Sequence, residues 1–218
     1  MPKREIFVQS FVFNPFQENT YIIHNVNKEC IIIDPGCGTT QEKEILSYFI
    51  REQDLCVRHL INTHGHIDHI LGNHYIKNTY QARLAIHALD VPLLQKAAIY
   101  APEYGITNYE PTTANILLRG GETIGIKDAT FEVLNVPGHS PGHIALYSTA
   151  TKLCFSGDVL FQGSIGRTDL PGGNKDILLE SIEDQLFTLD DDVIVYPGHG
   201  DTTTIGQEKG NNPFFMKK

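Results

Sequence analysis

Short apolar runs separated by polar turns follow one another along the chain, and the spacing inside each run predicts its secondary structure. Near the N-terminus, alternating or continuous apolar stretches predict three consecutive β-strands, at residues 6–13, 19–24 and 29–34. Apolar residues then recur at helical spacing between residues 40 and 53, which predicts the first helix. Gln9, Ser10 and Asn14 interrupt the first apolar run, so we expect a strand there and not a signal peptide.

The rest of the chain continues with strands and helices in a similar order. The predicted elements are strands at 57–62 and 83–87, helices at 70–80 and after Asp90, strands at 122–126, 130–136, 143–149 and 152–156, a helix at 176–187 and a strand at 192–196. Because the two halves are similar, we expect an α/β fold in which two sheets pack together, with helices outside and a cleft between the halves. Residues 100–115 show no clear period, and two interpretations stay open, a lid over the site or a surface excursion.

Length, composition and charge favour a single-domain globular protein over a nucleic-acid-binding or membrane protein. The 218 residues suit one large domain better than two. Seventeen basic and 26 acidic residues give a net charge of -9, which argues against a nucleic-acid partner. No segment approaches the roughly 18 apolar residues of a transmembrane helix, so no membrane association is expected. The four cysteines lie in or beside apolar runs without a CxxC pair, which predicts reduced, mostly buried thiols in a cytoplasmic protein.

Seven side chains of metal-ligand type share one placement, in a loop at the end of a short apolar run. They are His64, His66, Asp68, His69, His139, Asp158 and His199. Strands that each deliver a ligand in this way build a site on one edge of a sheet. His64 and His66 are two residues apart in an extended segment and can therefore point at one ion, and His139 would complete three nitrogen ligands. Asp68 and His69 follow where the next helix begins and can face a second ion with His199, while Asp158 would bridge the two.

Each of these residues taken alone has an ordinary structural explanation. Asp68 could cap a helix, and Asp158 could belong to a turn. The shared placement of all seven favours a metal site instead. His143 lies four residues after His139 and is predicted to hydrogen-bond around the site without binding metal. Asp34 also follows a strand, and two readings stay open, a brace for the histidine loop or a plain turn aspartate.

Four motifs, in this order, resemble the metallo-β-lactamase-fold superfamily, and within it the glyoxalase II (hydroxyacylglutathione hydrolase) group. They are THGHIDH at 63–69, PGHSPGH at 137–143, SGD at 156–158 and PGH at 197–199. The resemblance implies an αββα sandwich that binds two divalent metal ions, usually zinc, with iron or manganese tolerated. It places the first ion on His64, His66 and His139, and the second on Asp68, His69 and His199. In that family Asp158 would bridge the ions, with Asp34 and His143 in supporting positions.

One departure from glyoxalase II lies at the C-terminus. Glyoxalase II usually carries a C-terminal helical domain, whereas this chain ends at Lys218, soon after His199. We therefore expect residues 1–218 to form a single metallo-β-lactamase-fold domain that resembles the short bacterial members.

The activity that the resemblance implies is metal-dependent hydrolysis of a small thioester such as S-lactoylglutathione. Two adjacent ions would hold a bridging hydroxide that attacks the carbonyl carbon, and a thiolate is a good leaving group. Arg167 is our candidate for contacting an acidic group of the substrate, although a local salt bridge with Asp169 would explain it equally well. The alternative activity is a mononuclear iron persulfide dioxygenase, since those enzymes share the Arg167-Thr168-Asp169 run. The oligomeric state stays open.

Overall fold

Two β-sheets of six strands each face one another in the computed structural model, which describes residues 5–216. In chain order the strands are β1 (Ile6–Phe13), β2 (Glu18–Asn25), β3 (Glu29–Ile33), β4 (Cys56–Ile61), β5 (Arg83–His87), β6 (Ile116–Leu118), β7 (Thr123–Ile126), β8 (Ala129–Asn135), β9 (Ile144–Ser148), β10 (Leu153–Gly157), β11 (Leu160–Phe161), β12 (Ser164–Ile165), β13 (Ile194–Pro197) and β14 (Thr203–Thr204). The first sheet has the order β1-β2-β3-β4-β5-β6 and the second β14-β13-β10-β9-β8-β7, while β11 and β12 form a separate ribbon. Strands β3 to β6 run parallel, so their carboxyl ends share one edge.

Helices connect the strands, and side-chain caps explain where two of them begin. They are α1 (Thr40–Glu52), α2 (Ile67–Ile70), α3 (Asn73–Tyr80), α4 (Val91–Tyr100), α5 (Lys175–Ser181) and α6 (Ile205–Asn211), with 3₁₀ turns at Ala88–Asp90 and Ala101–Tyr104 and a π-helical turn at Ile182–Leu186. Thr39 and Glu42 form a reciprocal capping box at the start of α1, and the Asn174 side chain accepts the first N–H groups of α5. No helix within residues 5–216 has both the length and the apolar character needed to cross a membrane.

Alternation along the strands divides the apolar side chains among three layers. In β3, Ile31 and Ile33 pack between the two sheets, whereas Ile32 packs in the layer that includes α1, α3 and α4. Leu178 of α5 and Ile205 of α6 belong to a third layer on the outer face of the second sheet. The predicted αββα sandwich is therefore confirmed.

Local differences from the prediction have identifiable causes. The helix expected over residues 70–80 is interrupted, because α2 ends at Ile70 and α3 begins at Asn73. Between them, the Gly72 N–H donates to the Pro35 carbonyl at 2.6 Å and not to a helical carbonyl. The short strand β6 was missed, since three residues carry too little periodicity to identify a strand. Its parallel pairing with β5 is a tertiary contact.

Residues 100–115 divide into a part that reaches the functional cleft and a part that packs elsewhere. Tyr100 and Tyr104 line the cleft described below. Beyond them, Ile106 and Tyr109 pack against the apolar layer that includes α1, α3 and α4. Lys77 of α3 donates a hydrogen bond to the Thr113 carbonyl at 2.6 Å. The second part of this segment is therefore anchored to the outer layer of the first sheet, while the first part forms a wall of the cleft.

Three of the four cysteines are buried as predicted, and the fourth is not. Burial raises the pKa of Cys30, Cys37 and Cys154 to about 12, so these thiols stay protonated. Cys56 is exposed, which agrees with the prediction that most, and not all, of the thiols are buried. It is the first residue of β4, whose opening half alternates between exposed and partly buried positions before the strand enters the core.

Candidate metal centre

The structure brings all seven predicted metal ligands together at one end of the sandwich. The loops after β4, β8, β10 and β13 carry them, which is the strand-end placement that the sequence indicated. The Nδ1 atom of His66 lies 2.8 Å from Nε2 of His139, and the Nε2 atoms of His69 and His199 are 3.3 Å apart. Side chains separated by up to 130 positions along the chain are thus in direct contact.

His64, His66 and His139 form the first of two ligand groups. One ring nitrogen from each lies within 4.8 Å of the others. Burial, with the neighbouring His69 as a further cause, holds the pKa of His64 well below its usual value. Burial and the neighbouring His139 lower the pKa of His66 to about 3. Both imidazoles are therefore neutral at pH 7, which is the state that binds a metal ion.

Asp68, His69 and His199 form the second group, also with one ligand atom each within 4.8 Å of the others. The Asp68 carboxylate lies 3.2 Å from Nε2 of His199 and 3.6 Å from Nε2 of His69. Burial opposes a charge on His199, but hydrogen bonds to Asp158 and Asp68 outweigh it and raise the pKa of His199 to about 9. The surrounding carboxylates thus favour positive charge at this position.

Asp158 lies between the two groups and touches members of both. One carboxylate oxygen is 3.4 Å from Nε2 of His69, and the other is 3.6 Å from Nε2 of His139 and 3.5 Å from Nε2 of His199. Gly198 allows this approach, because a Cβ atom there would collide with the Asp158 carboxylate. Asp158 therefore has the placement that a bridging carboxylate requires.

Two buried acceptor atoms at the centre of the site, His64 Nε2 and Asp158 Oδ1, are suited to binding cations. The His64 Nδ1–H donates to the Thr63 hydroxyl at 3.0 Å, which in turn donates to Asp34 at 2.6 Å, so His64 Nε2 carries a lone pair. Within residues 5–216, that nitrogen and Oδ1 of Asp158 are buried without a hydrogen-bond partner. Buried acceptors that converge without donors are costly unless a cation lies between them. The donor set of imidazoles and carboxylates suits divalent zinc or iron.

Asp34 holds the histidine loop from behind. Its carboxylate accepts the Thr63 N–H at 2.7 Å and lies 3.2 Å from Nδ1 of His69. Accepting the Nδ1–H of His69 leaves Nε2 as the free nitrogen that faces Asp68 and Asp158. Asp34 adopts a left-handed backbone conformation with φ 47°. Such conformations persist where surrounding contacts determine them, and this placement matches the bracing interpretation more closely than that of a plain turn.

The remaining ligands are also oriented by groups outside the two ligand sets. The Nδ1–H of His139 donates to the Arg167 carbonyl at 2.7 Å. His143 stacks on His64 with ring centroids 4.6 Å apart, and its Nε2 accepts the Asp158 N–H at 3.0 Å. Burial keeps the pKa of His143 well below its usual value, so the ring is neutral and can accept this bond. His143 thus lies beside the ligands in the supporting position expected from the sequence.

Asp90 holds two of the ligand loops together, a role that the sequence analysis did not predict. Its carboxylate accepts the Gly65 N–H at 2.9 Å, the Ser140 hydroxyl at 2.7 Å and the Gly142 N–H at 2.6 Å. It therefore ties the loop of His64 and His66 to the loop of His139. Burial raises the pKa of Asp90, against the effect of these hydrogen bonds. The residue follows the apolar run of β5, so the placement rule that revealed the ligands would also have included it.

A cavity of about 350 Å³ opens onto the metal centre. Five ligands form its floor, and most of the walls are apolar or aromatic: Phe16, Ile67, Tyr100, Tyr104, Phe161 and Leu170. Arg167 lies in the wall as well, with its guanidinium paired to Asp169 through two hydrogen bonds of 2.8 Å. The local salt bridge considered for Arg167 is thus present, and the same side chain also faces the cavity.

Known proteins resemble this chain along nearly its whole length. It matches the family model described as the metallo-beta-lactamase superfamily over residues 13–199. The hydroxyacylglutathione hydrolase GloC of Haemophilus influenzae is 39% identical over 205 residues, which cover 93% of this chain and 95% of that protein. The crystal structure of BLEG-1 B3 metallo-beta-lactamase is 36% identical, with a TM-score of 0.88 and coverage of 97% and 100% of the two chains. That of TTHA1623 in a di-iron-bound form is 34% identical, with a TM-score of 0.83 and coverage of 94% and 99%.

Proposed function

This chain belongs to the metallo-β-lactamase superfamily, as its motifs predicted, and is a metal-dependent hydrolase; on that basis we propose that it cleaves a small thioester such as S-lactoylglutathione. The observation that carries the proposal is the pair of ligand groups joined by Asp158 at the floor of one cavity. The similarity to a hydroxyacylglutathione hydrolase supports the choice of a thioester.

In this proposal the two ligand groups each bind one metal ion. His64, His66 and His139 would hold one divalent ion, and Asp68, His69 and His199 would hold the other. Asp158, which touches histidines of both groups, would be shared between them. Two such ions lower the pKa of bound water, so that hydroxide is available at neutral pH. Zinc is the expected metal, with iron or manganese as alternatives, and the di-iron form of TTHA1623 supports testing iron directly.

The cavity supports a substrate whose reacting end is a small acyl group. Phe16, Tyr104 and Phe161 offer flat apolar walls that exclude water from the reacting carbonyl. Within residues 5–216, Arg167 is the one lysine or arginine that lines this cavity. No serine or cysteine of the described residues lines it, so hydroxide derived from water is the nucleophile that this floor favours over a covalent acyl-enzyme.

The test is hydrolysis of S-D-lactoylglutathione by protein whose metal content has been counted. We expect turnover together with two metal ions per chain. Nitrocefin, a β-lactam, serves as the competing substrate, because BLEG-1 is described as a B3 metallo-beta-lactamase. Faster turnover of nitrocefin than of any thioester offered would replace the proposal by β-lactam hydrolysis.

The competing activity is the mononuclear iron persulfide dioxygenase. It is favoured by the Arg167-Thr168-Asp169 run, whose first and last side chains pair at the cavity wall. A dioxygenase would use one iron per chain and consume oxygen when given glutathione persulfide. Oxygen uptake with that substrate, one iron per chain and no thioester hydrolysis would together overturn the hydrolase assignment in favour of the dioxygenase.

Arg167 is expected to contribute to substrate affinity and not to the chemical step. Its pair with Asp169 is exposed, and pairs of this kind contribute only about 0.2–1 kcal/mol, so an acidic group of the substrate can compete for the guanidinium. We expect Arg167→Gln to raise KM about tenfold while kcat stays nearly unchanged. A tenfold change corresponds to a loss of about 1.4 kcal/mol of binding free energy. Arg58→Gln is the control, because Arg58 is also exposed and paired, with Glu29 far from the cavity wall. An unchanged KM in Arg167→Gln would remove Arg167 from the substrate site.

A further inference from the structure

We propose that the β1–β2 turn, residues 14–18, is a positioning element for the second metal site alone. This inference rests on the proposed two-metal function. The turn approaches all three members of the second ligand group, each at an atom other than its candidate metal-binding atom. The first ligand group has a different support, so the two sites can be altered independently.

The first contact reaches Asp68. The Asn14 side chain donates to the Asp68 carbonyl at 3.0 Å and to the Gly36 carbonyl at 3.0 Å. Asn14 is itself held, because its N–H donates to the Glu42 carboxylate at 2.7 Å and its side-chain oxygen accepts the Phe16 N–H at 3.0 Å. The amide of Asn14 thereby holds the main chain of α2 at Asp68, whose carboxylate faces His199.

The second contact reaches His199. Its Nδ1–H points at the carbonyls of Phe16 and Gln17, at 3.1 and 3.2 Å, which leaves Nε2 free to face Asp68. The backbone continues this contact, since the Asn19 N–H donates to the Gly198 carbonyl at 2.7 Å. The turn therefore joins the start of β2 in the first sheet to the end of β13 in the second.

The third contact reaches His69. Glu18 is fully buried, and one of its carboxylate oxygens accepts the Thr20 hydroxyl at 2.9 Å. The other oxygen has no hydrogen-bond partner within residues 5–216 and lies 4.0 Å from Nδ1 of His69. A Cβ atom at Gly36 would collide with Glu18 and press on Asn14. The absence of a side chain at Gly36 is what allows this packing behind His69.

The first ligand group depends on other contacts. Asp90 connects Gly65, between His64 and His66, to Ser140, next to His139. No hydrogen bond within the described residues joins the β1–β2 turn to any of those three histidines. Asn14 and Asp90 are therefore matched supports, one for each proposed metal site. Loss of a group that orients a metal ligand typically lowers metal affinity about 10- to 100-fold.

The experiment measures zinc affinity by chelator competition in two backgrounds, each with one site disabled. His66→Ala leaves the second site, and His199→Ala leaves the first. Asn14→Gly removes the amide yet tolerates the left-handed φ of 53° at this position. We expect Asn14→Gly to weaken zinc binding about 10- to 100-fold in the His66→Ala background, and by less than about threefold in the His199→Ala background. Asp90→Asn should give the opposite pattern.

The comparison distinguishes this inference from the proposed function. Equal weakening by Asn14→Gly in both backgrounds, or weakening in neither, would overturn the positioning role even if the wild-type chain hydrolyses thioesters. Selective weakening would support the role even if the natural substrate is not a thioester. Should Asn14→Gly fail to fold, as judged by circular dichroism, Glu18→Gln replaces a carboxyl oxygen behind His69 with an amide nitrogen at nearly constant volume and is expected to give the same selectivity.

Discussion

Replacing Asp158 with alanine is expected to reduce kcat/KM for the thioester by roughly 10³-fold. Asp158 is the one carboxylate within residues 5–216 that lies within 4 Å of histidines from both ligand groups. A loss of this size corresponds to about 4 kcal/mol of transition-state stabilisation, the order expected when a ligand common to both proposed metal sites is removed. Without the Asp158 carboxylate, the five histidines of the two ligand groups and Asp68 would lack the negatively charged side chain that lies between the groups.

The measurement combines steady-state kinetics with metal analysis of the same preparations. We expect Asp158→Ala to retain fewer than two metal ions per chain, because both sites share this ligand. Asp184→Ala is the control, since Asp184 is exposed on the π-helical turn far from the ligand loops. A variant that kept two ions and more than a tenth of the wild-type rate would contradict a bridging role for Asp158.

Removal of the metal ions is expected to destabilise the folded chain. An ion that binds only the folded state stabilises it by RT ln(1 + [L]/Kd), about 4 kcal/mol when the free metal is 1,000 times Kd. For a chain of this size each kcal/mol corresponds to roughly 2–4 °C in Tm, so losing one ion lowers Tm by about 8–16 °C. The unfolded chain lacks the convergence of strand-end loops that creates the site.

Thermal unfolding before and after chelation measures this effect, and zinc added back should restore the original Tm. The variant His66→Ala, which lacks one ligand of the first group, should show a smaller shift on chelation. An identical Tm with and without metal in the wild-type chain would mean that the seven ligands bind no ion under the conditions used.

The metal centre was largely predictable because its residues obey a local rule. Each ligand follows a strand, and strand ends can be located from apolar periodicity within a few positions. Ligand type is a property of the side chain itself, so His64, His139 and Asp158 were identifiable without coordinates. The positions of most strands also followed from apolar runs, whereas the αββα sandwich was implied by the resemblance. Ile31 and Ile32 are both apolar, and only the structure shows that they pack in different layers.

The supports of the site were not predictable in the same way. Asn14 contacts a carbonyl 54 residues away, and Asp90 contacts Ser140 across 50 residues. Asparagine and aspartate are common in turns, so Asn14 does not stand out from its local context, and the strand-end position of Asp90 does not reveal which loops it joins. In the sequence Glu18 is indistinguishable from an ordinary carboxylate at the start of a strand. In the structure the second sheet covers it, so that it is fully buried.

The sequence alone therefore determined most of the strands and helices, together with the seven candidate metal ligands. These depend on side-chain chemistry and on periodicities of a few residues, which are present in any short window of the chain. The tertiary structure alone decided which groups stand behind each ligand, which nitrogen of each imidazole is free, and which aromatic side chains enclose the cavity. Those properties arise when two sheets pack face to face and bring distant loops within hydrogen-bonding distance, and no local pattern encodes that packing.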